Sequence, residues 1–207
     1  MEDNLVVELT VKEEDDTGVN IISFVESPAI EVDFLYFNEN KKEKFKTVDE
    51  EKRIVVGCAM IPNEKIIRMD GKGEPYFVFF SEDTVRKCAE LYFKNNNQNL
   101  TNVDHNRELV DGVTVMESWL VDNPELDKSK HLGFKDVQKG SWFVTYKVDN
   151  EELWQKVKQG EVLGFSVEGM FGQEISQDNT VEELKEILES CMSETEMYRE
   201  IVKKINK

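Results

Sequence analysis

Ser166 is a candidate nucleophile, because it lies between two glycines in a segment that reads as a β-strand, LGFSVEGMF at residues 163–171. Apolar residues at alternate positions predict that one face of this strand packs inward, which leaves Ser166 and Glu168 together on the other face. Glycine weakens a strand, so Gly164 and Gly169 predict a bulge or the close approach of another backbone, such as that of a substrate peptide. The same pattern is typical of an edge strand whose serine simply faces water, and a short motif alone does not separate the two.

A nucleophilic serine requires a base within hydrogen-bonding distance, and the chain holds two histidines. His105 follows an asparagine-rich stretch and precedes a β-rich run, and the ends of regular elements often carry catalytic groups. His131 lies in a polar stretch between predicted strands, which is typical of an exposed loop. A lone histidine is more often structural or solvated than catalytic, but His105 is the better placed of the two.

A carboxylate that orients the base would complete a triad, and three acidic residues are candidates. Alternation along its predicted strand places Glu117 in the middle of an apolar face, where pairing with an imidazole would satisfy a costly buried charge. Hydrogen bonds to backbone amides or to an arginine would satisfy Glu117 equally well. Asp104 could orient His105 only if the loop bends sharply, whereas Glu168 shares the face of the serine. No spacing rule selects the backbone amides of an oxyanion hole.

The composition indicates an acidic globular protein. A formal net charge of -17 argues against a nucleic-acid partner or an anionic membrane surface, and 39% apolar residues suffice for a sizeable core. No apolar run approaches the length of a membrane span, and the first residues lack the basic region of a signal peptide, so a cytoplasmic protein is expected. Three widely spaced cysteines and two histidines predict neither a disulfide framework nor a zinc site, and no cofactor is expected.

Alternating or β-rich runs predict about seven strands. They lie at residues 5–11, 19–25, 53–61, 76–80, 113–121, 142–148 and 162–171. A charged segment at 38–52 predicts a solvated loop that separates an N-terminal arm from the body. The sequence therefore predicts a mainly β protein.

Capping residues and helical spacing predict three helices, with a weaker helical pattern after them. The first begins after Ser81, and the second begins near Asn150 and ends at Gly160, directly before the strand of the candidate serine. Thr180 opens the third helix through a capping box. Helices are thus expected to flank the β body, which makes the fold class α+β.

Five sequence blocks, in this order and spacing, resemble the XkdF-like prohead maturation proteases of tailed bacteriophages. The blocks are ESPAIE at 26–31, VDH at 103–105, VMESW at 115–119, KGSW at 139–142 and GFSVEG at 164–169. The resemblance covers roughly residues 19–172. It implies a protease domain at 1–175 followed by a C-terminal helical tail at 176–207.

The resemblance implies a serine endopeptidase related in fold to the herpesvirus assemblin, a compact antiparallel β-barrel of about seven strands with flanking helices. Such proteases act inside the procapsid, in the host cytoplasm, where they cleave the scaffold and the N-terminal segment of the major capsid protein and then destroy themselves. Neither metal nor cofactor is implied, nor a nucleic-acid or membrane partner, and assembly into a homo-oligomer would be compatible with this setting.

Carried over to this chain, the resemblance makes Ser166 the nucleophile and His105 the general base. Herpesvirus relatives use a second histidine after the serine, and no histidine follows Ser166 here. An acidic residue is then expected in the third position, Glu117 first, with Asp104 and Glu168 as alternatives, unless the site works as a dyad.

Related phage proteases often cut after a glutamate that has an aliphatic residue two positions earlier. Leu184-Lys185-Glu186 and Ile187-Leu188-Glu189 fit that pattern and predict self-cleavage in the tail. Two other readings remain: a catalytically idle scaffold or core component with the same fold, and a stand-alone β-domain that binds partners outside any virus.

Overall fold

The computed structural model describes residues 6–12, 17–26, 46–49, 52–69 and 75–175, and these ranges form ten strands and three α-helices. The strands are β1 (Val6–Thr10), β2 (Gly18–Val25), β3 (Lys46–Asp49), β4 (Ile54–Met60), β5 (Ile66–Met69), β6 (Pro75–Phe80), β7 (Val113–Leu120), β8 (Trp142–Val148), β9 (Gly164–Met170) and β10 (Gly172–Ile175). The helices are α1 (Glu82–Lys94), α2 (Lys128–His131) and α3 (Glu151–Gln159), and a 3-10 turn covers Asn97–Asn99. All seven predicted strands are present.

The strands form three sheets, which confirms the mainly β prediction. The strand orders are β10-β1-β6-β5, β2-β9 and β3-β4-β8-β7, and neighbouring strands are antiparallel except β1 and β6. None of these sheets closes on itself within the described ranges, so the predicted closed barrel is not found. The chain instead leaves one sheet at Met170 and joins another at Gly172, as at a corner between packed sheets.

Three strands were not predicted: β3, β5 and β10. Each has only four residues and lies at the edge of its sheet. Strands this short contain too few alternating positions to give a periodic signal. The predicted loop at 38–52 is wrong for residues 46–49, which form β3. The charged composition misled the prediction, because charged residues are also common on edge strands.

The largest core cluster joins buried residues of β2, β4, β8 and β9 to the inner faces of α1 and α3. Tyr146 on β8 lies at its centre, with its hydroxyl 3.2 Å from that of Tyr92 on α1. Burial raises the pKa of Tyr146 to about 12. Phe24 and Phe165 pack their rings against Tyr146, at centroid distances of 5.3 and 5.2 Å. The core therefore reaches directly beneath β2 and β9.

The two predicted helices within the described ranges are confirmed, and so are their caps. Ser81 Oγ accepts the Thr84 amide at 3.3 Å, and Asn150 Oδ1 accepts the Leu153 amide at 2.9 Å. Gly160 ends α3 with a φ of 69°, in the left-handed region that glycine adopts easily. The helix predicted at Thr180, the helical tail and its suggested cleavage sequences lie outside the described residues.

Candidate active site

β2 and β9 together carry two serines on one face. The two strands pair antiparallel, with Ser23 directly opposite Ser166 and Phe24 directly opposite Phe165. Since the two phenylalanines turn towards the core, alternation along the strands places the two serines on the other face. Ser23 is 0% exposed and Ser166 only 2% exposed, because further chain covers that face.

The glycine after the candidate serine is required by the chain's own backbone. A Cβ on Gly169 would lie 1.9 Å from the carbonyl oxygen of Gly18 on β2. The close approach that the glycines predicted is therefore found, and at Gly169 the approaching backbone is β2. That contact does not by itself indicate a substrate.

The loop at residues 101–106 borders β2 and brings side chains to the serine face. It runs beside β2, where the Phe24 amide donates to the Asn102 carbonyl and the Asp104 amide donates to the Phe24 carbonyl, both at 2.9 Å. Asp104 and His105 then take left-handed conformations, with φ of 49° and 57°. Such a conformation is uncommon for residues other than glycine, and two in succession turn the chain sharply.

This turn brings His105 to a carboxylate, and that carboxylate belongs to Glu168. The His105 Nδ1 atom lies 3.0 Å from Glu168 Oε1. The same oxygen accepts the Ser23 hydroxyl at 2.7 Å and the Asn102 side-chain amide at 2.7 Å. The Ser23 oxygen also lies 3.3 Å from Nδ1 of His105. Four side chains from two strands and one loop thus form a single polar cluster.

The cluster holds Glu168 in its ionised form. Burial acts to raise the pKa of Glu168, but hydrogen bonds from Ser23, Asn102 and His105 outweigh it and hold the pKa below its ordinary value of 4.5. A carboxylate can only accept hydrogen bonds, so the His105 nitrogen that faces it must carry a hydrogen. Nε2 of the neutral ring is then left with a lone pair, as a general base requires.

The hydroxyl of Ser166 makes no hydrogen bond with any residue that the structure describes, His105 included. Ser166 is nevertheless close to the cluster, since directly paired residues of neighbouring strands have Cβ atoms about 5 Å apart. Catalytic hydrogen bonds are often long in proteins without substrate and tighten in the complex. The structure therefore places Ser166 opposite Ser23, which contacts His105, and shows no hydrogen bond between Ser166 and His105 itself.

Glu117 is not at this site, and the expectation that it faces the core is wrong. Its side chain is 55% exposed, and its carboxylate contacts Lys128 and accepts the Thr145 hydroxyl at 2.9 Å. Hydrogen bonds from Lys128 and Thr145 lower its pKa. The register of β7 against β8 shifts between Val115 and Glu117, and this bulge breaks the alternation on which the expectation depended.

Two further candidates from the sequence, Asp104 and His131, have partners outside the cluster. Asp104 is adjacent to His105 in the chain, but its carboxylate accepts the Glu26 amide at 2.9 Å and so secures the end of β2. His131 lies on α2, exposed, with Nδ1 3.3 Å from the Asp127 carbonyl. Of the three candidate carboxylates, Glu168 is the one that contacts His105.

Sequence reasoning missed Ser23 and Asn102. Ser23 carried a usable signal, since it is a single polar residue inside the apolar run IISFV at 21–25. A buried polar side chain requires a hydrogen-bond partner, and its presence in such a run predicts one. Asn102 gave no such signal, because asparagine is ordinary in a loop.

A cleft of about 570 Å³ runs past the candidate serine. Its lining includes all five consecutive residues from 165 to 169. Side chains of a strand alternate between faces, so five successive residues line a cleft only if it follows the edge of the strand. The walls are mainly apolar, with Met60, Ile66, Phe80 and Phe171 among them, and Glu64 and Arg68 add charge.

Three further observations concern the described part of the chain. It contains no group of three or more histidine, cysteine, aspartate or glutamate side chains that could hold a metal ion. Its helices include none with the length and apolar character of a membrane span. Cys58 and Cys88 are both buried thiols, and burial raises the pKa of Cys88 to about 12.

Comparisons with known proteins find one relative and one family model that match this chain. The protein YqbD of Bacillus subtilis (strain 168), titled uncharacterized, is 26% identical over 157 residues, which are 72% of this chain. The chain spans 43% of the length of that relative. No solved structure matches the chain. A family model described as "Putative phage serine protease XkdF" matches residues 42–175, well over half of the chain. The chain therefore belongs to this XkdF family.

Proposed function

We propose that the protein is a serine endopeptidase with Ser166 as nucleophile, His105 as general base and Glu168 as the carboxylate that orients the base. The observation that carries this proposal is the 3.0 Å contact between His105 Nδ1 and Glu168 Oε1, two residues along β9 from Ser166. This is the division of tasks found in serine hydrolases, where the carboxylate holds one ring nitrogen and the other serves the nucleophile.

The proposed reaction is acyl transfer in two steps. Ser166 Oγ forms a bond to the peptide carbonyl carbon while Nε2 of His105 takes the hydroxyl proton. The carbon–nitrogen bond then breaks, and the same proton passes to the leaving amine. Water attacks the resulting ester, gives one proton to Nε2, and releases the acid as Ser166 recovers its proton. Glu168 stays ionised and stabilises the imidazolium that forms in each step.

The cleft along β9 is the proposed binding place of the substrate. Pairing with β2 uses one edge of β9, and the cleft follows the other edge past residues 165–169. An extended peptide in such a cleft can hydrogen-bond to the strand backbone while its side chains enter the apolar walls. Residues before and after Ser166 on β9 line the cleft. A peptide with its scissile bond at Ser166 would therefore be bound on both sides of that bond.

The biological task that we propose is head maturation in a tailed phage. Membership of the XkdF family supports a phage protease, and the substrates proposed here are the scaffold and the N-terminal segment of the major capsid protein inside the procapsid. The expected place of action is the procapsid in the host cytoplasm. The proposal includes assembly of the protein into a homo-oligomer, which confinement in the procapsid would favour.

Covalent labelling tests the proposed nucleophile directly. Treatment with a fluorophosphonate is expected to add one label, and peptide mapping by mass spectrometry is expected to find it on Ser166. Ser166→Ala and His105→Ala should each prevent labelling and abolish cleavage of scaffold and capsid protein supplied together. Ser141→Ala, which removes another buried serine hydroxyl, is the matched control and should retain both. Retained cleavage by Ser166→Ala would refute the mechanism.

Self-cleavage in the tail is a separate expectation. Intact mass after incubation is expected to show wild type shortened after Glu186 or Glu189, and Ser166→Ala unchanged. A wild type that cuts its substrates but keeps its full mass would remove this part of the proposal and leave the rest.

A catalytically idle core component of the procapsid is the second candidate. The buried Ser166 hydroxyl, which has no hydrogen-bond partner among the described residues, is the observation that favours it. An idle protein would resist the fluorophosphonate at every concentration, and Ser166→Ala would leave procapsid assembly and maturation unchanged.

A further inference from the structure

Ser23 is a buried hydroxyl at the candidate site to which the proposed mechanism gives no task. Its Oγ lies 2.7 Å from Glu168 Oε1 and 3.3 Å from His105 Nδ1. A hydroxyl has a single proton, so Ser23 can donate to only one of these two atoms and must accept from, or merely face, the other.

The direction of that donation determines what His105 Nδ1 faces. Donation to the carboxylate is favoured, because the distance is shorter and the acceptor is charged. The Ser23 oxygen then turns a lone pair towards Nδ1, and Glu168 Oε1 presents another at 3.0 Å. The opposite direction would place a proton between Ser23 and Nδ1 and would require the ring hydrogen to be on Nε2.

We infer that Ser23 is a positioning residue: by donating its proton to Glu168 it holds the carboxylate against His105 Nδ1, and so fixes His105 as the tautomer with its hydrogen on Nδ1. The catalytic consequence rests on the proposed function, since only this tautomer leaves Nε2 free to take a proton from Ser166. Asn102 supports the same arrangement, because its side-chain amide donates to Glu168 at 2.7 Å and to the Asn106 carbonyl at 2.8 Å.

The inference extends the site beyond the region that defines the family match. Ser23 lies on β2 at Gly18–Val25, whereas the family model begins at residue 42. The N-terminal strand therefore contributes a side chain to the site in addition to its backbone pairing with β9. A protein of this kind without that strand would need another donor to hold Glu168.

Nuclear magnetic resonance can measure the tautomer without any substrate. The chain has two histidines, so a sample labelled with [15N]histidine gives two ring signals, and His131 serves as the internal reference. Two-bond proton–nitrogen correlations are expected to show His105 with its hydrogen on Nδ1 in the wild type. Ser23→Ala is expected to free the Glu168 carboxylate to turn away from Nδ1, which would convert part of His105 to the form with hydrogen on Nε2, while His131 stays unchanged.

Ser141→Ala is the matched control, because Ser141 is also a buried serine and its hydroxyl has no hydrogen-bond partner in the described structure. It should leave the His105 signals as in wild type. Ser23→Cys, which keeps the shape and weakens the hydrogen bond, gives the same comparison if the alanine variant does not fold. A folded Ser23 variant whose His105 keeps its hydrogen wholly on Nδ1 would overturn the inference.

Kinetics provide the second readout. Ser23→Ala is expected to lower kcat by roughly tenfold to a hundredfold with little change in KM, the scale of one hydrogen bond to a charged group. If the tautomer shifts in a protein that cleaves nothing, the positioning role stands and the protease proposal fails. If the protein cleaves its substrates and the tautomer does not shift, the protease proposal stands and the role of Ser23 fails.

Discussion

One carboxylate oxygen, Oε1 of Glu168, is the common acceptor of the candidate site. It accepts from a strand serine, a loop asparagine and the histidine ring. Hydrogen bonds to a charged group are stronger than those between neutral groups, and bonds within one network support each other. A change at Glu168 is therefore expected to disturb both the position and the protonation of His105.

Glu168→Gln tests the assignment of the third residue. A glutamine can donate as well as accept, so it no longer requires a hydrogen on Nδ1 of His105, and kcat/KM is expected to fall by roughly 10²- to 10⁴-fold. Glu117→Gln is the matched control, because it removes a mostly exposed carboxylate that is bonded to Lys128 and Thr145. Its activity should stay within about twofold of wild type, since exposed ion pairs contribute little. The reverse order of effects would restore Glu117 as the orienting residue.

The lowered pKa of Glu168 predicts a dependence of stability on pH. A carboxyl whose pKa is lower in the folded than in the unfolded protein stabilises the fold above its ordinary pKa, and this contribution is lost as pH falls through the folded value. The free energy of unfolding of wild type should exceed that of Glu168→Gln at pH 7, and the difference should shrink below about pH 4.5. Urea titrations of both proteins from pH 7 to pH 3 measure it. A constant difference would show that the charge of Glu168 does not stabilise the fold.

At the scale of elements, the pairing of β2 with β9 builds the site. It places Ser23 opposite Ser166, packs Phe24 against Phe165 at a centroid distance of 5.0 Å, and leaves the far edge of β9 to the cleft. The pairing itself depends on Gly169, where β2 comes too close for any side chain.

Gly169→Ala should weaken this pairing. The added methyl would meet the carbonyl oxygen of Gly18 at 1.9 Å, and backbone cannot move aside as a side chain can. We expect a loss of at least about 2 kcal/mol in the free energy of unfolding, measured by urea titration. Gly172→Ala is the control, since its methyl would meet the Thr10 side chain at 2.8 Å, which can rotate. Equal losses in the two variants would contradict the role of Gly169.

The sequence predicted where strands lie better than which way their side chains face. β2, β8 and β9 carry β-branched and aromatic residues, and their assignment as strands is confirmed. The predicted facing of β7 is wrong, because a bulge precedes Glu117, and one displaced residue reverses the face of those that follow. From the sequence, Glu168 was only one of three candidate partners for His105. The contact depends on the left-handed conformations of Asp104 and His105, which local spacing does not reveal.

At the scale of the molecule, the N-terminal strands are integral to the fold that carries the site. β1 lies between β6 and β10 in one sheet, and β2 forms the other half of the sheet that contains β9. Both strands contribute to the main core, through Val7, Ile22 and Phe24 among others. The region matched by the family model, 42–175, contains neither strand. A protein limited to residues 42–175 would therefore lack part of the core. Strands β6 and β10 would lose their neighbour β1, and β9 would lose its neighbour β2.

Removal of residues 1–26 is accordingly expected to abolish folding rather than only activity. It would expose the β1-facing edges of β6 and β10 and leave β9 without a partner strand, and the apolar side chains beneath them would contact water. The truncated protein should show no cooperative transition on heating, by circular dichroism. The matching control is removal of 176–207, which deletes a segment of comparable length and retains every described strand; it should keep both the transition and cleavage of substrates. If the protein without residues 1–26 unfolds cooperatively and still reacts with a fluorophosphonate at Ser166, β2 is dispensable for the site.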